Sequence, residues 1–211
     1  MTEKKQIVLA LESAIAGGSI SLLRNGTQIA QWIGSANVSK AEDLLVNIDE
    51  ILRSTNISRH EIDLIAASAG PGSFTGIRIG LATALGFKTG LGARISSVSA
   101  LDAIAFGSAV TGQTVIVVPV GRNSVCVQRF DITVTGFDAI DQPITVNDNE
   151  LADHISPFGY LNTLVHPALA ERVCQVSGVT NIDANIAFSI GLLCAKSPEI
   201  IVKPLFISKS F

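Results

Sequence analysis

The chain has 211 residues, of which 47% are hydrophobic and 16% charged, and its formal net charge is -3. This hydrophobic content is enough to bury a sizeable core, which excludes extensive disorder. The slightly negative charge excludes a protein that grips nucleic acid alone, because such proteins present a basic surface to the phosphates. Any nucleic-acid role must therefore be shared with a partner.

Three strands are predicted at the start of the chain. Ile7 to Leu11 is apolar throughout, as a central strand requires, and Ser19 to Leu22 alternates between polar and apolar residues. Asn25-Gly26 suits a tight hairpin turn, after which Gln28 to Ile33 returns as a third strand. The chain therefore opens with three consecutive strands, the last two joined by a hairpin.

A helix is predicted next, starting from a capping box of Ser39 and Glu42, in which each side chain satisfies a free backbone N–H group. A second box, Ser58 to Glu61, starts a short turn, and Ile62 to Ser68 is a predicted buried strand. The apolar residues of the first helix recur at helical spacing on one face: Leu44, Leu45, Ile48, Ile51 and Leu52.

The segment Ala69 to Gly80, AGPGSFTGIRIG, contains four glycines. Ser73 is the predicted N-cap of a helix from Phe74 to Thr89. The glycines match neither phosphate-binding pattern, since the lysine of the P-loop is missing and the spacing is G-x-G-x-x-x-G rather than G-x-G-x-x-G. An anion held at the helix N-terminus stays open as one explanation of the segment.

Small residues along this helix offer a second explanation. Gly76, Gly80 and Ala84 lie at i, i+4 and i+8, so they share one face. A glycine inside a helix costs about 1 kcal/mol relative to alanine, and a close contact should offset that cost. Either a neighbouring segment of the same fold or another subunit would fit such a face, and both alternatives remain open.

The remaining sequence predicts a second lobe. Arg94 to Val98 is a predicted strand, Ser99 caps a helix from Ala100 to about Phe106, and Gly107 to Gly112 separates the lobes. Strands at Val115 to Val120 and Ser124 to Phe130 repeat the opening layout. Two later helices are predicted, a short one capped by Asp148 or Asn149 that runs through His154, and one from an Asn181 N-cap to Cys194.

The cysteines and histidines indicate no metal site and no disulfide framework. The three cysteines form no C-x-x-C pair, and no two of the three histidines have the spacing that places both on one helix face. The apolar run Ile7 to Leu11 is too short for a signal peptide, and the uncharged stretch Ala103 to Gly121 is broken by polar residues and glycine. We therefore expect a cytoplasmic protein without a membrane span.

Four segments resemble the TsaB (YeaZ) family. AASAGPGSFTGIRIGLATALGFKTGLG, Ala66 to Gly92, is similar to the family signature. LLVNIDEIL resembles the first helix of the family, ISSVSALDAIA its next strand and helix, and VKPLFIS its closing segment, at Leu44 to Leu52, Ile95 to Ala105 and Val202 to Ser208. The resemblance covers most of residues 7 to 106 specifically and the second half loosely.

This resemblance implies an α/β fold of the actin, Hsp70 and sugar-kinase (ASKHA) superfamily with two ribonuclease-H-like lobes. We assign residues 1–106 to the N-terminal lobe and residues 107–211 to a smaller C-terminal lobe, whose last segment packs back on the first. The resemblance also implies a non-catalytic subunit without cofactor that pairs with TsaD, the enzyme that transfers the threonylcarbamoyl group to the tRNA adenosine beside the anticodon.

The resemblance further implies that the ATPase TsaE binds that pair, that tRNA is met only through the complex, and that a homodimer is another assembly of the same surface. Two helices would form the contact: the helix that follows residue 39 and the helix that follows the glycine-rich segment. The predicted interface residues are Leu44, Leu45, Ile48, Phe74, Gly76, Arg78, Ile79, Gly80, Thr83 and Ala84.

Several positions depart from the family pattern. The D-T-S after the first strand is Glu12-Ser13-Ala14, Lys40 replaces a histidine, and the D-A-R segment begins at Val120, with Val125 where an acidic residue is usual. The competing function is a small ATPase or phosphotransferase of the same fold, and a third is a homodimer with a different partner. The candidate nucleotide loop comprises Glu12, Ser13, Ala14, Gly17 and Gly18.

Overall fold

The first of two β-sheets contains the opening strands of the chain. A computed structural model describes residues 5–15, 17–35, 43–156, 162–173, 176, 178–196, 204, 205 and 207. Strand β1 pairs antiparallel with β2, and β2 with β3, while β1, β4 and β5 run parallel in the order β3-β2-β1-β4-β5. The strands are β1 (Ile7–Glu12), β2 (Ser19–Arg24), β3 (Thr27–Ile33), β4 (Leu64–Ser68) and β5 (Arg94–Val98).

The second sheet repeats this topology. Its order is β11-β10-β6-β7-β8, with β9 also paired to β7. β6 and β7 are antiparallel, and β10 and β11 run parallel to β6, as β4 and β5 do to β1. The strands are β6 (Gly112–Pro119), β7 (Ser124–Ile132), β8 (Phe137–Ala139), β9 (Ile144–Asn147), β10 (Asn162–Val165) and β11 (Val179–Asn181).

Helices form three layers around the sheets. The helices are α1 (Leu44–Ser54), α2 (Phe74–Leu91), α3 (Ala100–Gly107), α4 (Leu151–Ile155) and α5 (Ile186–Lys196). Helices α3 and α5 lie between the sheets in a core that both share, α1 and α2 cover the outer face of the first sheet, and α4 covers the outer face of the second. None of the helices in the described part of the chain is long and apolar enough to cross a membrane.

Three predicted caps and the hairpin turn are confirmed. Ser58 and Glu61 form the reciprocal capping box of a 3₁₀ turn. The Ser73 hydroxyl accepts a hydrogen bond from the Gly76 N–H group, and the Ser99 hydroxyl accepts one from Leu101. Asn25 and Gly26 have φ angles of 51° and 77°, as the central positions of a type I′ hairpin turn require.

Three predicted helix starts are not confirmed. Ser39, Lys40 and Glu42 lie outside the described residues, and α1 follows Asp43, whose side chain makes no cap hydrogen bond. The Asn181 prediction was wrong, because Asn181 pairs with Val165 in the second sheet and α5 begins only at Ile186. Asp148 and Asn149 lie inside a 3₁₀ turn rather than capping it.

The closing segment contacts the first sheet. The Leu205 N–H group donates to the Ala69 carbonyl oxygen at 2.7 Å, directly after β4. Ile207 packs against the core between the sheets. Four residues of the predicted closing segment, Val202, Lys203, Phe206 and Ser208, lie outside the described part. The division of the chain at residue 106 stays a prediction.

Candidate functional site

The glycine-rich segment between β4 and α2 is bound to the β1–β2 loop, residues 13–18. The Ser73 N–H group donates to the Ala14 carbonyl oxygen at 2.6 Å, and the Ser13 hydroxyl donates to the Gly76 carbonyl oxygen at 2.9 Å. The Gly76 N–H group is already bonded to the Ser73 hydroxyl at 2.9 Å. Two of the amides that an anion at this helix end would need are therefore occupied within the chain.

The small-residue face of α2 lies inside the protein. Gly76, Gly80 and Ala84 are buried. A Cβ atom at Gly76 would overlap the Ser13 carbonyl oxygen, and one at Gly80 would overlap the Ser13 hydroxyl. The close partner of this face is thus the β1–β2 loop of the same chain. This corrects the prediction that these three residues are available to another subunit.

A second small-residue stripe on α2 is open. Ala82, Gly86 and Gly90 also lie at i, i+4 and i+8, and Cβ atoms at the two glycines would have no neighbour within 4 Å. These residues border a shallow groove of about 500 Å³ between α1 and α2. The groove is lined by Leu45, Arg59, Ala82, Thr83, Gly86, Phe87, Gly90 and Leu91.

Large apolar side chains are also exposed on α1 and α2, and one of them, Leu45, lines the groove. Leu45 and Val46 of α1 are 60% and 66% exposed, and Phe74 and Leu85 of α2 are 51% and 48% exposed. The guanidinium of Arg78 lies 3.8 Å from the centre of the Phe74 ring, a cation–π distance. We call the groove and these four apolar residues the α1–α2 face.

Half of the predicted interface residues lie at the protein surface, on α1 or α2. Leu45, Phe74 and Arg78 are exposed and Ile79 and Thr83 half-buried, whereas Leu44 and Ile48 are buried in the core under the first sheet with the three small residues. Sequence reasoning missed Val46, Leu85 and Gly90, although Gly90 continues the spacing of Ala82 and Gly86.

Glu12 dominates the candidate nucleotide loop. Its side chain is 2% exposed, and Oε1 accepts hydrogen bonds from the Ala14 and Ile15 N–H groups at 2.7 and 3.0 Å. Burial raises the pKa of Glu12 to about 7, although the two N–H groups favour the ionised form. Gly17 and Gly18 have φ angles of 91° and 67°, conformations that suit glycine and help turn the loop into β2.

The equivalent segment of the second sheet, residues 120–125, contains no acidic residue. Val125 is buried in β7, and the Val120 N–H group closes the turn by donating to the Ser124 carbonyl oxygen at 3.1 Å.

His166 is buried, its Nδ1 accepts a hydrogen bond from the Ala168 N–H group, and burial lowers the pKa of His166 to about 4. Within the described ranges, no three His, Cys, Asp or Glu side chains are grouped to hold a metal ion.

Known proteins resemble this chain in sequence and in fold. A family model described as "TsaD: tRNA N6-adenosine threonylcarbamoyltransferase" matches residues 35–190. A relative from Buchnera aphidicola, named tRNA threonylcarbamoyladenosine biosynthesis protein TsaB, is 40% identical over 84 residues, which are 40% of this chain and 38% of that protein. YeaZ from Pseudomonas aeruginosa superposes with a TM-score of 0.73 at 17% identity, covering 96% of this chain and 100% of that chain.

A more distant likeness comes from the activator of 2-hydroxyisocaproyl-CoA dehydratase from Clostridium difficile, solved with bound ADPNP. It superposes with a TM-score of 0.54 at 10% identity, covering 90% of this chain and 94% of that chain. At these identities the structural likenesses concern the fold alone, and they confirm the predicted actin, Hsp70 and sugar-kinase-like α/β class. The matched segments span only 35% to 41% of the length of three curated relatives.

Proposed function

The chain belongs to the TsaD family and within it is a TsaB/YeaZ protein, and from this premise we propose that it is a non-catalytic subunit that binds TsaD and supports threonylcarbamoyladenosine formation on tRNA. The observation that carries the proposal is the α1–α2 face. In this proposal tRNA is contacted only through the complex, in the cytoplasm, and TsaE joins the assembled pair.

The physical properties of the α1–α2 face support a docking role. Scattered exposed apolar residues are ordinary, but adjacent large ones beside an apolar groove are typical of protein contact sites. Leu45 and Val46 are neighbours on α1, and the open glycines of α2 leave room for a partner backbone to approach. Asp49 and Arg53 form an ion pair one turn further along α1 and supply a polar rim.

Replacing Leu45 with glutamate is expected to weaken TsaD binding at least tenfold, which corresponds to about 1.4 kcal/mol or more. The reason is that an unpaired carboxylate would be buried in an apolar contact. Titration calorimetry or biolayer interferometry with purified TsaD measures the change. Because Leu45 is 60% exposed, the substitution should leave the isolated chain folded.

Val134→Glu is the matched control for this experiment. Val134 is 92% exposed and lies in the turn between β7 and β8, on the second sheet. It should bind TsaD as the wild type does. Equal affinities of the Leu45→Glu variant and the wild type would remove the α1–α2 face from the proposal. Sedimentation of the chain alone, with and without Leu45→Glu, tests whether a homodimer uses the same face.

The ATPase alternative would use Glu12 and the β1–β2 loop. Two loop amides are already bonded to the Glu12 carboxylate, which speaks against that use. We expect calorimetry of the isolated chain with ATP and magnesium to detect no binding at millimolar nucleotide. Tight, magnesium-dependent binding would instead favour the enzyme and contradict a purely accessory role.

A further inference from the structure

The loop after β1 resembles an anion-binding loop, but the acidic group that its N–H groups bind is a side chain of the same protein. Consecutive backbone N–H groups that converge on one point form a concave site for a negatively charged oxygen. Here the Ala14 and Ile15 N–H groups converge on a single atom, Oε1 of Glu12, at 2.7 and 3.0 Å. These are charge-assisted hydrogen bonds when the carboxyl group is ionised, and they are stronger than bonds between neutral groups.

The other side of the loop is closed by α2. The Ala14 carbonyl oxygen accepts from the Ser73 N–H group at 2.6 Å, and the Ser13 hydroxyl bonds the Gly76 carbonyl oxygen at 2.9 Å. Cβ atoms at Gly72 and Gly76 would overlap Ala14 and Ser13. The loop therefore has no room to move toward α2, and moving away from α2 would break these hydrogen bonds.

Glu12 is held on the inner side of the loop with little exposure. Its side chain is 2% exposed, so the carboxyl group has been withdrawn from water and its partners are those of the loop. A phosphate group brought to the same amides would compete with this carboxylate for the same N–H groups and would be repelled by its charge.

We propose that the Glu12 carboxylate serves as a ligand built into the chain, occupying the anion position of the β1–β2 loop and excluding phosphate groups from it. The loop then has a structural role, in which it packs against the start of α2, and it does not bind nucleotide. This inference is independent of TsaD binding, since it concerns only contacts within the chain.

The test follows the Ala14 and Ile15 amide signals by NMR while inorganic phosphate or formate is added at pH 8. In Glu12→Ala the amides lose their acceptor, and we expect at least one of the two anions to shift both signals saturably. The wild type and Glu12→Gln, whose side-chain carbonyl oxygen still fills the position, should show no saturable shift. Chloride at matched ionic strength corrects for general salt effects.

Two results would overturn the proposal. One is the absence of any saturable shift in folded Glu12→Ala, and the other is an equal shift in the wild type. If Glu12→Ala does not fold, the wild type is titrated with acid instead. The Ala14 and Ile15 amide signals should then move together in the wild type and stay constant in Glu12→Gln, and unmoved signals in the wild type would refute the assigned contacts.

Discussion

Replacing Gly76 with alanine is expected to lower the free energy of unfolding by about 3 kcal/mol, although alanine is the better helix former. The added Cβ atom would overlap the Ser13 carbonyl oxygen, which is backbone and is tied to β1. Either α2 or the β1–β2 loop must move, and the hydrogen bond between Ser73 and Ala14 would be strained with it. Urea unfolding followed by circular dichroism measures the loss.

Gly86→Ala is the matched control on the same helix. A Cβ atom there meets nothing within 4 Å, so the helix-propensity gain should appear undiminished, at about 0.5–1 kcal/mol of added stability. The two variants make the same chemical change in one helix and are expected to move the stability in opposite directions. A similar small gain in both would mean that α2 does not contact the β1–β2 loop as described.

Glu12→Gln is expected to remove a pH dependence from the stability of the protein. Burial raises the pKa of Glu12 in the folded chain from 4.5 to about 7. The folded protein therefore holds this proton more tightly than the unfolded chain does between these pH values. The wild type should lose about 3 kcal/mol relative to Glu12→Gln from pH 4.5 to pH 8, since a tenfold change in proton affinity is worth about 1.36 kcal/mol.

The direction of this effect is specific to a carboxyl group with a raised pKa. The stability that comes from the protonated Glu12 is complete below pH 4.5, falls as the pH rises toward 7, and stays constant above that range. Urea unfolding of the wild type and Glu12→Gln at several pH values measures the difference directly. Parallel curves for the two proteins would show that Glu12 is not buried in the folded state.

Local chemistry made several elements predictable. The hydroxyl caps at Ser58, Ser73 and Ser99 depend on interactions within three residues, and the sequence shows all of the participating groups. Asn and Gly readily adopt the positive φ angles of this turn, so Asn25-Gly26 was likewise predictable from its residue types. The start of α5 was not predictable in this way, because Asn181 is held by pairing with β10, a contact that sequence spacing does not reveal.

The two small-residue stripes of α2 show where sequence reasoning ends. Gly76 and Gly80 have the same spacing as Gly86 and Gly90, and both pairs leave one side of the helix free of side chains. Only the position of Ser13 decides that the first pair is buried and the second open. The sequence thus shows that α2 carries small-residue faces, while the face that is open depends on Ser13, 63 residues before Gly76 in the chain.

The placement of α5 has a consequence for synthesis of the chain. The strands of the first sheet are complete at Val98, yet Gly191 of α5 lies against Ala10 and Leu23 on the inner face of that sheet. During translation this apolar face stays uncovered until about a hundred further residues have emerged from the ribosome. The nascent chain should therefore be a substrate for chaperones over that interval, and truncation before Ile186 should yield an aggregating product rather than a folded N-terminal lobe.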